Sequence, residues 1–253
     1  SDGLENAPHA AAWRGLARGE LGHWEAARAE FGLAGAILDA FDDELRTRFR
    51  AMAAEATLKG GDATAAASYV AGFPAAPESP KAKARILLAQ AALADVEKGG
   101  EDAVARYDAA IDTGYPPVAA RARFGKAVLQ LERGDIDKDA FAKELESLRY
   151  AWRGDELELE ILTRLAKFRL DEGQIDEALK QMQTATANYP DSEEAHQMNV
   201  HMSDIFADYF LGDAIDKMEP VQALAFFDRF KELTPIGTKG DEMIRNLAER
   251  LVE

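Results

Sequence analysis

Apolar residues in this chain recur three, four and seven positions apart, and no run alternates apolar with polar as a half-buried strand would. Phe41/Leu45/Phe49, Phe124/Val128/Leu131, Ile161/Leu165/Phe168 and Phe206/Tyr209/Phe210 each place a stripe on one helix face. Ala, Leu, Glu, Lys and Arg, all strong helix formers, fill the segments between short breaks that contain Gly or Pro. The clearest stretch is Phe168–Pro190: one helix ends in Leu-Asp-Glu-Gly, a second starts at once with Gln-Ile-Asp-Glu-Ala-Leu, and Pro190 closes the unit. The pattern predicts first helices over about 8–18, 44–58, 81–98, 118–133, 155–171 and 194–211. Second helices follow over 24–39, 63–72, 101–112, 137–150, 175–188 and 220–233, and one more helix starts at about Asp241.

The breaks themselves repeat: GELGHWEAA (19–27), KGGDATAAA (59–67), KGGEDAVARY (98–107), ERGDIDKDAF (132–141), DEGQIDEAL (171–179) and LGDAIDKMEPVQAL (211–224). Each has Gly at a helix C-terminus, where only Gly enters the left-handed conformation cheaply, and in several an Asp or Thr then caps the next helix. An Ala early in each second helix aligns the copies: Ala27, Ala66, Ala103, Ala140, Ala178 and Ala223, at spacings of 39, 37, 37, 38 and 45 residues. The last interval is long because Ala-Ile-Asp-Lys-Met-Glu-Pro is inserted before Val221. One such hairpin cannot bury its apolar face alone, but hairpins stacked in series bury a continuous core. The expected organisation is therefore all-α: a single domain over 1–253 with repeats at about 8–41, 44–77, 81–115, 118–152, 155–190 and 194–235. Residues 241–253 read as the first helix of a further repeat, which predicts that the native chain continues past Glu253.

Within the units, Ala178, Met182, Ala185 and Pro190 fall at a small–large–small–Pro spacing, and Ala27, Phe31 and Ala34, with Gly15 and Gly22, repeat it. So do Ala103, Tyr107 and Ala110, with Pro116 one place late, and Ala223, Phe227 and Pro235. This pattern resembles the tetratricopeptide repeat (TPR), with units three to five residues longer than the family's period of about 34. The resemblance implies a right-handed α-solenoid of about six repeats, whose first helices line a concave groove that takes a partner peptide or helix. The family's groove positions fall on Arg48, Ala51, Glu55 and Leu58; on Arg85, Leu88, Ala92 and Asp95; on Glu160, Thr163, Lys167 and Leu170; and on Asn199, Met202, Phe206 and Tyr209. Of these, Arg48, Glu55, Arg85, Glu160, Thr163, Lys167, Asn199, Met202 and Phe206 are the candidate partner-binding residues. They are charged early and apolar late, which suits a basic or mixed segment followed by an apolar anchor. The aromatic cluster of Phe206, Phe210, Phe226, Phe227 and Phe230 reads first as core and second as a groove for a partner helix. The Ala-rich style and the segment GDEMIRNLAERL also resemble large bacterial repeat proteins of the cell envelope, which implies a periplasmic location; a cytoplasmic one is the alternative.

Composition narrows the partners. A net charge of −16, from 46 acidic and 30 basic residues, repels nucleic acid and anionic lipid surfaces. No window approaches 18 consecutive apolar residues, so no transmembrane helix is expected, and the first residues carry no signal-peptide pattern. The absence of Cys excludes disulfides, thiolate metal sites and a cysteine nucleophile.

Candidate chemistry is sparse. Asp135, Asp137, Asp139 and Glu146 copy the acidic spacing of a calcium loop, but Ala140 stands where that loop needs Gly, so a capped helix start is expected instead. His196 and His201 are five apart and diverge on a helix, so His9, His23, His196 and His201 read as surface residues. Glu156, Glu158 and Glu160 read as a solvated first turn suited to the helix dipole. Arg133-Gly134-Asp135 and Arg153-Gly154-Asp155 lie at helix junctions, where Gly stops one helix and Asp caps the next. No phosphate-binding loop and no nucleophile elbow occurs. No cofactor or metal is expected. The sequence favours a non-enzymatic protein–protein interaction scaffold, a fragment of a larger bacterial protein. A solenoid-based cell-wall or glycan-processing enzyme and a self-associating structural solenoid are the alternatives.

Overall fold

Prolines and short polar side chains set where the helices begin. Pro8, Pro116 and Pro220 occupy first-turn positions, where a missing N–H costs nothing. Asp42, Asp62, Asp137 and Ser192 each accept a hydrogen bond from the backbone N–H three residues on, at 2.7–3.2 Å. The computed structural model describes residues 7–77, 79–98, 101–212, 215 and 218–251, and among these there is no strand. The helices are α1 (Pro8–Glu20), α2 (Trp24–Ala34), α3 (Asp43–Lys59), α4 (Ala63–Ala71), α5 (Pro80–Lys98), α6 (Glu101–Ile111) and α7 (Pro116–Arg133), followed by α8 (Lys138–Ala151), α9 (Glu156–Asp171), α10 (Ile175–Asn188), α11 (Glu193–Leu211), α12 (Pro220–Phe230) and α13 (Thr238–Arg250).

Gly22, Gly61, Gly134 and Gly173 end their helices at φ between 70° and 78°, the left-handed stop expected of the breaks. The sixth break differs: Gly212 is extended at φ −90°. The third break, at Gly99-Gly100, lies outside the described residues, as do parts of the insertion before Val221. Two second helices tighten at their ends. After α2 the chain forms a 3-10 helix at Gly35–Ala40, and after α12 another at Lys231–Leu233. Helix α13 starts three residues before Asp241, because Gly237 at φ 102° completes the turn just ahead of Thr238.

The fourth copy departs in register. The stops at Gly22, Gly61 and Gly173 pass through one residue into the next helix, as Gly61-Asp62 does before Ala63. After Gly134 the chain spends two more residues, Asp135 and Ile136, before Asp137 caps α8. The aligned Ala140 is therefore exposed, and the buried face of α8 is Phe141, Ala142, Leu145 and Leu148. The residue structurally equivalent to Ala27, Ala66, Ala178 and Ala223, three past the first residue of the second helix, is Phe141. Those four alanines and Ala103 are fully buried.

The chain divides into two compact units, Ser1–Glu158 and Leu159–Glu253, and the division falls inside α9. In the first unit the hairpins stack in order: α1 packs on α2 and α3, α3 on α4 and α5, and α5 on α6 and α7. Small residues make the close approaches. A methyl at Gly15 would stand 3.1 Å from the Phe31 ring, and one at Gly125 would stand 2.7 Å from the Tyr107 hydroxyl. The core of the second unit is aromatic and sulfur-rich, with Met182, Met202, Phe206, Phe210, Phe226, Phe230 and Met243 in one cluster. Phe206 meets Phe226 and Phe230 at ring separations of 5.7 and 6.2 Å, a spacing favourable for tilted aromatic pairs.

Candidate partner-binding surface

Helices α3 and α5 are first helices of neighbouring hairpins and pack side by side. Their eight groove positions, Arg48, Ala51, Glu55, Leu58, Arg85, Leu88, Ala92 and Asp95, are all half-buried. Neither core nor outward-facing, they form one stripe along α3 and one along the adjacent α5, together the α3–α5 row. Its charged members are engaged by their own chain. Arg48 pairs with Glu20 of α1, and Arg85 pairs with Glu44 of α3 at 2.9 Å while lying over the Tyr115 ring. Tyr107 of α6 donates its hydroxyl to Asp95 at 3.0 Å.

The candidate positions of the second unit fare differently. Met202 is 1 % exposed and Phe206 is fully buried, so both belong to the core and present no surface to a partner. This corrects their assignment to the groove: helical spacing places them on an apolar face, and α12 and α13 cover that face. The core alternative for the aromatic cluster is the one the structure adopts; Phe227 is its half-buried member. Glu160 pairs with Arg164 at 3.0 Å within α9, and the Thr163 hydroxyl donates to the Leu159 carbonyl at 2.8 Å. Thr163, Lys167 and Asn199 are exposed.

A second set of charges gathers at the junction before α9. Asp155 accepts from Arg121 at 2.7 Å, from the Trp152 indole at 2.8 Å and from the Leu157 N–H at 3.0 Å. Burial by itself would lower the Arg121 guanidinium. The charges of Glu55, Asp155 and Glu156, with the hydrogen bond to Asp155, instead hold it above its ordinary value. Burial raises the Asp95 carboxyl, opposed by the Tyr107 hydrogen bond and supported by the charge of Glu132. Burial likewise raises the Tyr107 hydroxyl, with the neighbouring Asp95 adding to it.

All three acids read as a solvated turn are engaged, Glu160 through its pair with Arg164. Glu158 is buried and accepts from the Gly154 N–H at 2.7 Å, closing the first turn of α9. Glu156 accepts from the indole N–H of Trp24, in α2, at 2.6 Å. No local pattern marks that pair, because its partners stand 132 residues apart. The Asp-rich segment at 135–139 is a helix start: Asp137 is the N-cap of α8, Ala140 is helical, and Arg133 pairs with Asp135 at 3.1 Å. Among the described residues no group of three or more His, Asp or Glu side chains is arranged to hold a metal ion. His196 and His201 are exposed, and His9 meets the Phe41 ring edge-on at 5.5 Å. Among the described residues no helix is long and apolar enough to cross a membrane.

Stacked helical hairpins with small–large packing pairs define an all-α, TPR-like repeat fold. No family profile matches the sequence, and no curated protein matches it. Among solved structures, a thermophilic TPR protein of Thermus thermophilus is similar in fold, with a TM-score of 0.50 and 20% identity over 79% of this chain and 98% of that one. The tetratricopeptide-like architecture expected from the repeats is thus the architecture found.

Proposed function

We propose that this chain is a non-enzymatic scaffold that binds a protein partner along the α3–α5 row. The observation that carries this reading is the row itself: eight consecutive groove positions, every one half-buried. A surface of that kind is accessible yet partly walled, as a bound segment requires. The net charge of −16 favours a partner segment with basic residues. Arg48 and Arg85 mix in positive charge, so acidic residues between the basic ones are accommodated. The apolar anchor expected from Met202 and Phe206 drops out of this description, since neither reaches the surface.

Photo-crosslinking tests the reading. A benzophenone amino acid is placed at Ala51 or Ala92 in the row, and at the exposed Thr64 on α4 as a control. The expected result is one and the same protein crosslinked from Ala51 and from Ala92 and not from Thr64. Equal labelling from Thr64, or none from the row, overturns the assignment.

A further inference from the structure

We propose that Trp24 and Glu156 form a side-chain clasp that holds the Ser1–Glu158 unit closed, by tying its first hairpin to the start of α9. In a stack of hairpins each unit normally touches only its neighbours. The ion pairs Arg48–Glu20, Arg85–Glu44 and Lys126–Asp108 obey this rule, each joining adjacent helices or hairpins. The Trp24–Glu156 bond bypasses the three intervening hairpins.

Several elements converge on the same carboxylate. The turn of the first hairpin lies against it: a methyl group at Gly22 would stand 3.3 Å from the Glu156 Cγ and carboxyl carbon. The ammonium of Lys59, at the end of α3, lies over the Trp24 ring, 5.7 Å from its centre. The charge of Glu156 acts on Arg121 of α7, which also feels Glu55 of α3 and is bonded to Asp155. Residues from α2, α3, α7 and α9 thus meet at one place through side chains.

The consequence is geometric. Each interface between neighbouring hairpins yields by a small rotation, and the rotations add along the stack. A bond between the first hairpin and α9 removes that freedom for all the interfaces between them at once. In the closed form Glu55, a member of the α3–α5 row, is held within the field of Arg121. The clasp concerns the unit's own conformation and does not depend on the scaffold reading.

The chain has no cysteine, so a pair of introduced cysteines takes spin labels cleanly. Glu25→Cys and Arg153→Cys are exposed sites beside the two halves of the clasp. Double electron–electron resonance on the labelled protein should give a narrow distance distribution. Trp24→Phe removes the donor and keeps a ring for Lys59, and Glu156→Ala removes the acceptor. Each is expected to lengthen and broaden the distribution while the helical circular dichroism stays unchanged. Glu156→Gln keeps an acceptor oxygen and is expected to stay nearer the parent. Distributions for Trp24→Phe and Glu156→Ala that superimpose on the parent overturn the clasp. If one of the two variants does not fold, the other decides by the same comparison. The measurement contains no partner, so its outcome is separate from that of the crosslinking.

Discussion

Asp95 and Tyr107 show how the environment of one residue becomes a pH dependence of the fold. Burial raises the Asp95 carboxyl above its ordinary value of 3.8. Its contribution to stability is fully present below that ordinary value and is lost as pH rises through the raised folded one. Asp95→Asn, which keeps an oxygen for the Tyr107 hydroxyl, is therefore expected to be more stable than the parent at pH 7. The gap should close as the pH falls toward 3.8. Urea denaturation midpoints across that window check it, and a constant gap would contradict the assignment. Glu30 runs the opposite way. It accepts both a 3.0 Å and a 2.8 Å bond from Arg14, and that interaction holds its carboxyl below the usual 4.5. Its stabilisation is present above 4.5 and disappears as the pH falls through the lowered value, so Glu30→Gln should flatten the acid limb of the stability curve. Tyr107→Phe should cost about 1 kcal/mol for the lost hydrogen bond. None of these partnerships is legible in the sequence, because they join residues on different helices whose polar faces look alike.

At the scale of the elements, the helices and their breaks were largely readable. Gly22, Gly61, Gly134 and Gly173 mark four stops and adopt the left-handed conformation that only Gly takes without strain. What alignment could not reveal was the longer turn after Gly134. An Ala at position 140 continues the series of small residues in the sequence, yet two extra turn residues rotate it to the outside of α8. Phe141, Leu145 and Leu148 then occupy the places that Ala27, Phe31 and Ala34 hold in the first hairpin, so all three places are filled by large residues in the fourth copy. This yields a paired prediction. Ala140→Leu should change stability by no more than about 0.5 kcal/mol, as a surface substitution does. Phe141→Ala should cost about 3–5 kcal/mol. Thermal melts of the two variants separate the registers: the reverse order of effects would restore Ala140 as the packed residue.

At the scale of the molecule, the repeat count and the all-α class followed from periodicity, whereas the division into two compact units did not. It falls within α9, a continuous helix with no loop composition to announce it. The candidate site split within the second unit, where Thr163, Lys167 and Asn199 stay exposed. Groove positions in α3 and α5 remain at the surface, whereas Met202 and Phe206 of α11 are enclosed by α12 and α13. An apolar face on a helix looks the same in sequence whether a partner or the chain itself will cover it. Phe206→Ala should therefore act as a core truncation in the second unit and cost about 3–5 kcal/mol. Hydrogen exchange is expected to accelerate across α10–α13 and to leave α1–α7 protected, because separate cores open separately. Loss of protection throughout the chain would show instead that the units unfold as one.

The bond between Trp24 and Glu156 also has a mechanical meaning. A stack of hairpins pulled at its two ends extends like a spring, each joint giving a little, and the force rises smoothly with length. When its first hairpin is pinned to the helix that follows its last, the same stack is a spring with a catch. It resists at first without lengthening, then yields abruptly when one indole leaves one carboxylate, and only after that stretches softly. Tension on Ser1–Glu158 would therefore be registered as a threshold.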